Sequence, residues 1–255
     1  MRYIFRFTKT GPMKYISHLD VQRLFRRAMK RMDVSLAYSQ GYNPHPKIYM
    51  AQPLSLGFES ESEYLEIETE MRYDRDALIQ SGNAALPEGI MFTAVREAEH
   101  AKGNISSIVD YGAYAIQLPT GGSAVSEDSF QRFISQNKII VNKRIKKSKK
   151  FVEKDVKSLI KRLTWKQIDP DTLEIEAVLR AASNEALNPL LLMEALCHAV
   201  QIPFPRETCR ILRTELYCLR DNTLVSLLDC CDAKKEGADE ERKQNKEKSP
   251  ISAPI

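Results

Sequence analysis

Two of the four histidines in this 255-residue chain sit inside dense sets of polar groups, and both sets lie between Tyr15 and Lys47. The first reads YISHLD and runs into VQRLFRRAMKR; the second reads YSQGYNPHPK. His18 falls at the start of a helix-forming pattern, where free backbone N–H groups and the helix dipole disfavour an imidazolium and favour bound anions. A neutral His18 there can exchange a proton beside a phosphate. His45 lies between Pro44 and Pro46, which restrict the backbone and hold the ring in place. If both rings faced one groove they would form a general acid and base for metal-independent RNA cleavage. The plainer alternative is that each ring hydrogen-bonds to the backbone and fixes a loop. Convergence of His18, Asp20 and His45 would suit divalent iron, but their separation offers no ligand spacing, and no metal is assigned.

Arg23, Arg26, Arg27, Lys30 and Arg31 fall opposite the apolar stripe of the same helix pattern. Guanidinium forks match phosphate oxygens bidentately, so this face points to a polyanion such as RNA. A solvated face with Asp20 as internal partner is the alternative. Around His45, the groups Ser39, Gly41, Tyr42, Asn43 and Lys47 have the make-up of a binding loop; Tyr38, Tyr42 and Asn43 can stack on or hydrogen-bond to unpaired bases, and Lys47 can meet a phosphate. Between Lys138 and Lys150 seven of thirteen residues are Lys or Arg. Such a run is usually a solvated loop and supports an RNA partner only alongside the first helix.

The elements that must position these residues follow from periodicity. Arg2 to Lys9 alternates as a strand, and Ser17, three positions before Asp20, caps a helix from about His18 to Met32. Lys47 to Leu56, interrupted by Pro53, and Tyr64 to Thr69 read as strands, 74–86 as a helix and 90–95 as a strand. Strand, helix, strand, strand, helix, strand is the order of a ferredoxin-like unit. A similar order follows the Lys102 to Ser107 linker: 111–118 strand, 127–136 helix, 138–142 strand, 172–180 strand, 189–200 helix and 211–219 strand, with 156–167 ambiguous. The chain therefore reads as α+β, with two tandem ferredoxin-like halves, residues 1–101 and 102–231, and a disordered charged tail over 232–255.

Composition narrows the function. A hydrophobic share of 43% with 28% charged residues fits a globular protein, and no apolar run approaches a membrane span. The start, MRYIFRFTK, lacks the apolar core of a secretory signal, which implies the cytoplasm. Net charge is +8 over residues 1–50 and −8 over residues 51–100. Cys197, Cys209, Cys218, Cys230 and Cys231 contain no CxxC pair, so structural or incidental thiols fit better than zinc or iron–sulfur ligands. No phosphate loop, dinucleotide fingerprint or GxSxG turn occurs.

The strings YISHLDVQRLFRRAMKR and YSQGYNPHPKIYMAQPLSLGFESESEYLEIE resemble the signature of a bacterial family of unknown function, the radical SAM-linked proteins, most specifically across Ser17 to Asp20 and Ser39 to Lys47. Members are encoded beside a radical S-adenosylmethionine enzyme or fused to its C-terminus. The resemblance implies a shared pathway with such an enzyme. S-adenosylmethionine and a 4Fe–4S cluster would belong to that partner, since this chain has no CxxxCxxC motif and needs no cofactor of its own. The motif order is also similar to tandem ferredoxin-like RNA-binding proteins of the CRISPR endonuclease type, a likeness of fold alone. The expected function is an accessory protein that binds RNA for a radical S-adenosylmethionine enzyme and is not itself a catalyst. The alternatives are an endoribonuclease using His18 and His45, or an adaptor that docks on its partner through the acidic stretch Glu59 to Glu70 and binds no RNA.

Overall fold

In the computed structural model, which describes residues 1–98, 103–144 and 150–232, the first strand β1 (Arg2–Lys9) is buried on both faces. Its alternation explains why. Tyr3, Phe5 and Phe7 point into one core with Val21, Phe25 and Met29 of helix α1 (His18–Arg31) and Leu78 of helix α2 (Arg75–Ala85). Phe7 meets the Phe25 ring edge-on at 4.7 Å between centroids. On the opposite face Ile4 enters a second core, and Arg2 is buried by donating to Glu66 at 2.7 Å. This second face is thus also turned inward, with Arg2 paired to Glu66 and Arg6 3.7 Å from Glu215.

Strands β2 (Ile48–Met50), β3 (Glu59–Glu68) and β4 (Ile90–Glu97) complete the first half. The order across the sheet is β4-β1-β3-β2, with every neighbour antiparallel. β2 is much shorter than the strand expected over Lys47 to Leu56. Pro53 has no N–H for a ladder, and the chain leaves β3 there; the Gln52 carbonyl is used instead by Arg213. β3 begins five residues earlier than its alternation signal, because Ser60 and Ser62 bury their small side chains.

The second half contains β5 (Tyr111–Pro119), α3 (Glu127–Ser135), β6 (Ile140–Arg144), β7 (Phe151–Asp155), β8 (Ile160–Asp169), β9 (Thr172–Arg180), α4 (Pro189–Ala199) and β10 (Arg210–Arg220). β10-β5-β9-β8 is again an antiparallel run, and β6 with β7 forms a separate hairpin sheet. The ambiguous stretch 156–167 is mostly the edge strand β8, whose Trp165 packs on Phe130 of α3 at 5.2 Å. β11 (Thr223–Ser226) pairs with β10 and leads into α5 (Leu227–Asp232). The two halves join where β3 and β10 run parallel, at Leu212 opposite Glu59 and Arg213 opposite Ser60. One nine-stranded sheet results, with helices α1 to α4 on apolar cores and α5 on the second core shared by both halves.

Two further differences from the sequence expectation concern a connection and a pair of cysteines. Of the stretch 102–107, Ile105 is fully buried and donates its N–H to Glu66 at 2.6 Å, so the connection is part of the core. Cys218 and Cys230 form a disulfide across β10 and α5, where structural or incidental thiols were expected. The tail beyond residue 232 and the centre of the basic run, 145–149, lie outside the described residues. Among the described residues no helix is long and apolar enough to cross a membrane.

Candidate functional site

The first histidine motif is a helix cap set over a buried charge cluster. Ser17 accepts the Asp20 N–H at 3.2 Å and donates its hydroxyl to the Asp20 carboxylate at 2.6 Å. The Ser17 hydroxyl, and then Arg23 at 3.0 Å, hold the Asp20 carboxyl below its usual range. Ser17 and Asp20 are therefore explained by the start of α1. His18 is half-buried beside them. Its Nε2 lies 3.3 Å from the Gln22 amide nitrogen, and its Nδ1 is buried with no hydrogen-bond partner among the described residues. Burial lowers its pKa; Glu63 opposes that shift and Lys9 adds to it. The shift has the direction argued from the helix start, but desolvation is its first cause.

Beneath His18 the strands bring charges together that are distant in sequence. Lys9 at the end of β1 donates to the carbonyls of Lys14 at 3.4 Å and Ile16 at 3.2 Å, tying β1 to the entry of α1. Burial lowers the pKa of its ammonium, with Glu63 pulling the other way. Glu63 in turn receives Arg213 of β10 side on, Nε to Oε1 at 2.7 Å and Nη2 to Oε2 at 2.5 Å. The second face of the same join carries Glu215, which accepts from Ser62 at 2.6 Å and Tyr64 at 2.7 Å. Burial, with the Glu215 charge behind it, raises the pKa of the Tyr64 phenol.

The basic face of α1 is open. Arg23, Arg26, Arg27, Lys30 and Arg31 are all exposed, while Val21, Phe25, Ala28 and Met29 fill the core side. Asp20 pairs with Arg23, and Arg26, Arg27, Lys30 and Arg31 make no ion pair with any described residue. This arrangement can take several phosphates, because little internal charge competes for the guanidinium groups.

The second histidine motif is a closed loop. Ser39 and His45 bind each other twice, Ser39 N to the His45 carbonyl at 2.9 Å and His45 N to the Ser39 hydroxyl at 3.0 Å. Between them Gly41 has φ of +130°, open to glycine and poor for other residues. Tyr42, Asn43, Pro44 and His45 are exposed at its tip. Lys47 is different. Its ammonium donates to Glu68 at 2.6 Å, and that hydrogen bond raises its pKa, so the cation offered to phosphate is already neutralised.

The two motifs do not form one site. Register places Lys9 opposite Ser60 and Arg2 opposite Glu68, so His18 lies over one end of β1 and Lys47 at the other. An eight-residue strand spans about 23 Å, too far for a shared proton relay. His18, Asp20 and His45 likewise do not meet, and among the described residues no group of three or more His, Cys, Asp or Glu could hold a metal. The acidic stretch is also mostly consumed. Glu63 and Glu66 are buried and paired, Glu59 faces Lys14 and Glu68 faces Lys47, leaving Glu61 and Glu70 exposed without an ion pair among the described residues. Four of the six carboxylates in the stretch are thus engaged within the chain.

Residues 2–189 match the family described as "Uncharacterized protein conserved in bacteria (DUF2344)". The chain belongs to this family. No curated protein matches this DUF2344 chain. Two solved structures are similar. One is titled "Crystal Structure of a Cbf5-Nop10-Gar1 Complex", at 11% identity and TM-score 0.49 over 92% of this chain and 56% of that chain. The other is titled "Crystal structure of the archaeal box H/ACA sRNP Nop10-Cbf5 complex", at 11% identity and TM-score 0.45 over 93% of this chain and 57% of that chain. The DUF2344 chain spans a little over half the length of these solved chains.

Sequence reasoning missed Lys9, Glu63 and Arg213 as a group. A signal existed: Glu63 has the same strand parity as Leu65 and Ile67, and Arg213 the same as Ile211, so each charge is aimed at an apolar face. What no parity could supply is that the two strands are neighbours.

Proposed function

We propose that this chain is an RNA-binding accessory protein of a radical S-adenosylmethionine enzyme, acting in the cytoplasm and holding RNA for the partner's chemistry without catalysing it. The observation that carries the reading is the exposed face of α1, on which Arg26, Arg27, Lys30 and Arg31 have no ion-pair partner among the described residues. Arginine in this density is suited to bidentate phosphate contacts. Exposed Tyr42 and Asn43 add groups suited to an unpaired base, and exposed Lys138, Lys143 and Lys150 add a second cationic element. The link to a radical enzyme rests on the resemblance at Ser17 to Asp20 and Ser39 to Lys47. Within the same reading we take the chain as a tandem of ferredoxin-like units with the β6–β7 hairpin inserted in the second, a reading that the matching antiparallel order of the two halves supports.

The test is crosslinking of the tagged protein in growing cells, sequencing bound RNA and identifying bound proteins in one pulldown. Recovery of one RNA class, lost in the Arg23→Ala, Arg26→Ala, Arg27→Ala triple variant, supports the reading. A radical S-adenosylmethionine enzyme recovered with no enriched RNA removes the RNA part; enriched RNA with no such enzyme removes the partner. Purified chain should also lose affinity steeply as salt rises, since each neutralised phosphate releases counterions.

A further inference from the structure

The basic helix does not stand alone: between α1 and the end of α2 lies a groove of about 630 Å³ with an aliphatic floor and an arginine wall. Met13, Ile16, Leu24 and Leu86 line the floor, and all four are only partly buried against the first core. Arg23, Arg27 and Arg31 line the wall. These three stand on one row of α1, each four residues from the last, so their Cα atoms rise about 6 Å per step. That step is close to the phosphate repeat of an extended single strand. Arg26 and Lys30 project from the helix outside this groove.

We propose, as a refinement that rests on the RNA reading above, that this groove is the seat of an unpaired RNA segment, with phosphates on Arg23, Arg27 and Arg31 and base faces against the aliphatic floor. Charge complementarity selects a polyanion, and concavity selects among polyanions. A duplex presents its phosphates on a broad convex surface and keeps its base faces stacked, so it reaches the rim without entering. A single strand can track a cationic groove and place apolar base faces inside. The floor has no side-chain hydrogen-bonding groups among Met13, Ile16, Leu24 and Leu86, so it binds base faces without reading base edges, and sequence preference is weak. Asp20 is the one carboxylate on the lining; Ser17 engages it and Arg23 donates to it through Nη1 alone, which leaves the other N–H groups of Arg23, together with Arg27 and Arg31, for the ligand.

The experiment uses the full chain and a labelled RNA of about 12 nucleotides, single-stranded or annealed to its complement, with binding followed by anisotropy. The single strand should bind about tenfold more tightly than the duplex. Arg31→Ala and Leu86→Ala should each weaken single-strand binding about threefold or more with little change for the duplex, while Arg26→Ala weakens both alike. A thermal melt keeps the exposed Arg31→Ala variant as the control if Leu86→Ala loses its fold. Equal affinity for both forms, or groove variants that leave single-strand binding unchanged while Arg26→Ala still weakens it, overturns the groove and leaves the RNA reading standing. No binding of either form overturns both. A glutamate-rich amphipathic peptide that binds in an Arg31- and Leu86-dependent way, undisturbed by excess RNA, would make the groove a protein seat and overturn the proposal.

Discussion

Arg213 and Glu63 are bonded side on where β3 and β10 pair, the one strand pairing between the two halves among the described residues, with their side chains 2% and 3% exposed. The β3–β10 ladder there is two residue pairs long, too short to set the angle between halves unaided. Removing one member leaves an uncompensated buried charge, which typically costs about 3–5 kcal/mol. Arg213→Met should therefore shift the urea midpoint sharply down. The double variant Arg213→Met, Glu63→Leu should recover much of that loss, because the lone carboxylate is gone. Equal loss in the single and double variants would show that the pair does not hold the seam.

Gly82 sits in the interior of α2, where alanine ordinarily stabilises a helix by up to about 1 kcal/mol. Here an added Cβ would lie 2.5 Å from Cδ2 and 2.6 Å from Cε2 of Phe92. Phe92 is itself fixed between Phe5 at 4.5 Å and Phe25 at 5.6 Å, so it has little room to yield. Gly82→Ala should destabilise by roughly 1–3 kcal/mol, read as a lower urea midpoint at unchanged slope. A higher midpoint would mean that the helix lifts without penalty.

The elements that were legible in the sequence are those whose own residues decide them. β1 and α1 show period two and period 3.6 because each packs a continuous apolar row, and Ser17 with Asp20 marks the cap locally. β7, β11 and α5 carried no such mark: β7 is exposed except at half-buried Lys154, and α5 is six residues of which the apolar ones pack on a core assembled from both halves. The arginine face was legible because exposed cations need no partner. The partner of Lys47 was hidden for the converse reason, since Glu68 lies 21 positions away and only the β2–β3 pairing brings it within reach. Separation of His18 from His45 follows from the same register, which no local pattern contains.

Five cysteines should behave as three. Cys218 and Cys230 are bonded across 12 positions, and Cys197, Cys209 and Cys231 are free. Alkylation in denaturant without reductant should add three labels, and after reduction five. In the native state Cys197 and Cys209 should react slowly, because burial pushes their thiols up to about 12 and about 11. Reduction should lower unfolding stability by about 3 kcal/mol, the closure entropy of a loop of this size. Five labels without reductant would rule the bond out.

His18 provides a pH test that separates a structural ring from a catalytic one. Burial holds its pKa below the ordinary value of about 6.5, with Glu63 opposing and Lys9 adding to the shift. A base whose folded pKa is depressed gives the unfolded chain the larger share of bound protons in the window between the two values. Stability is therefore complete above about 6.5 and declines as pH falls through that window. Asp20 acts lower down, since its carboxyl is held below its usual range by Ser17 and Arg23 and protonates only in stronger acid. Melting curves from pH 8 to about pH 5 should show the wild type losing stability that His18→Gln does not lose. If the ring is structural, His18→Gln also binds RNA normally at neutral pH, and His45→Ala leaves no cleavage to abolish. Matching slopes for wild type and variant would place the depressed titration elsewhere, and an RNA-cleaving activity lost in His18→Gln would make the ring catalytic despite its distance from His45.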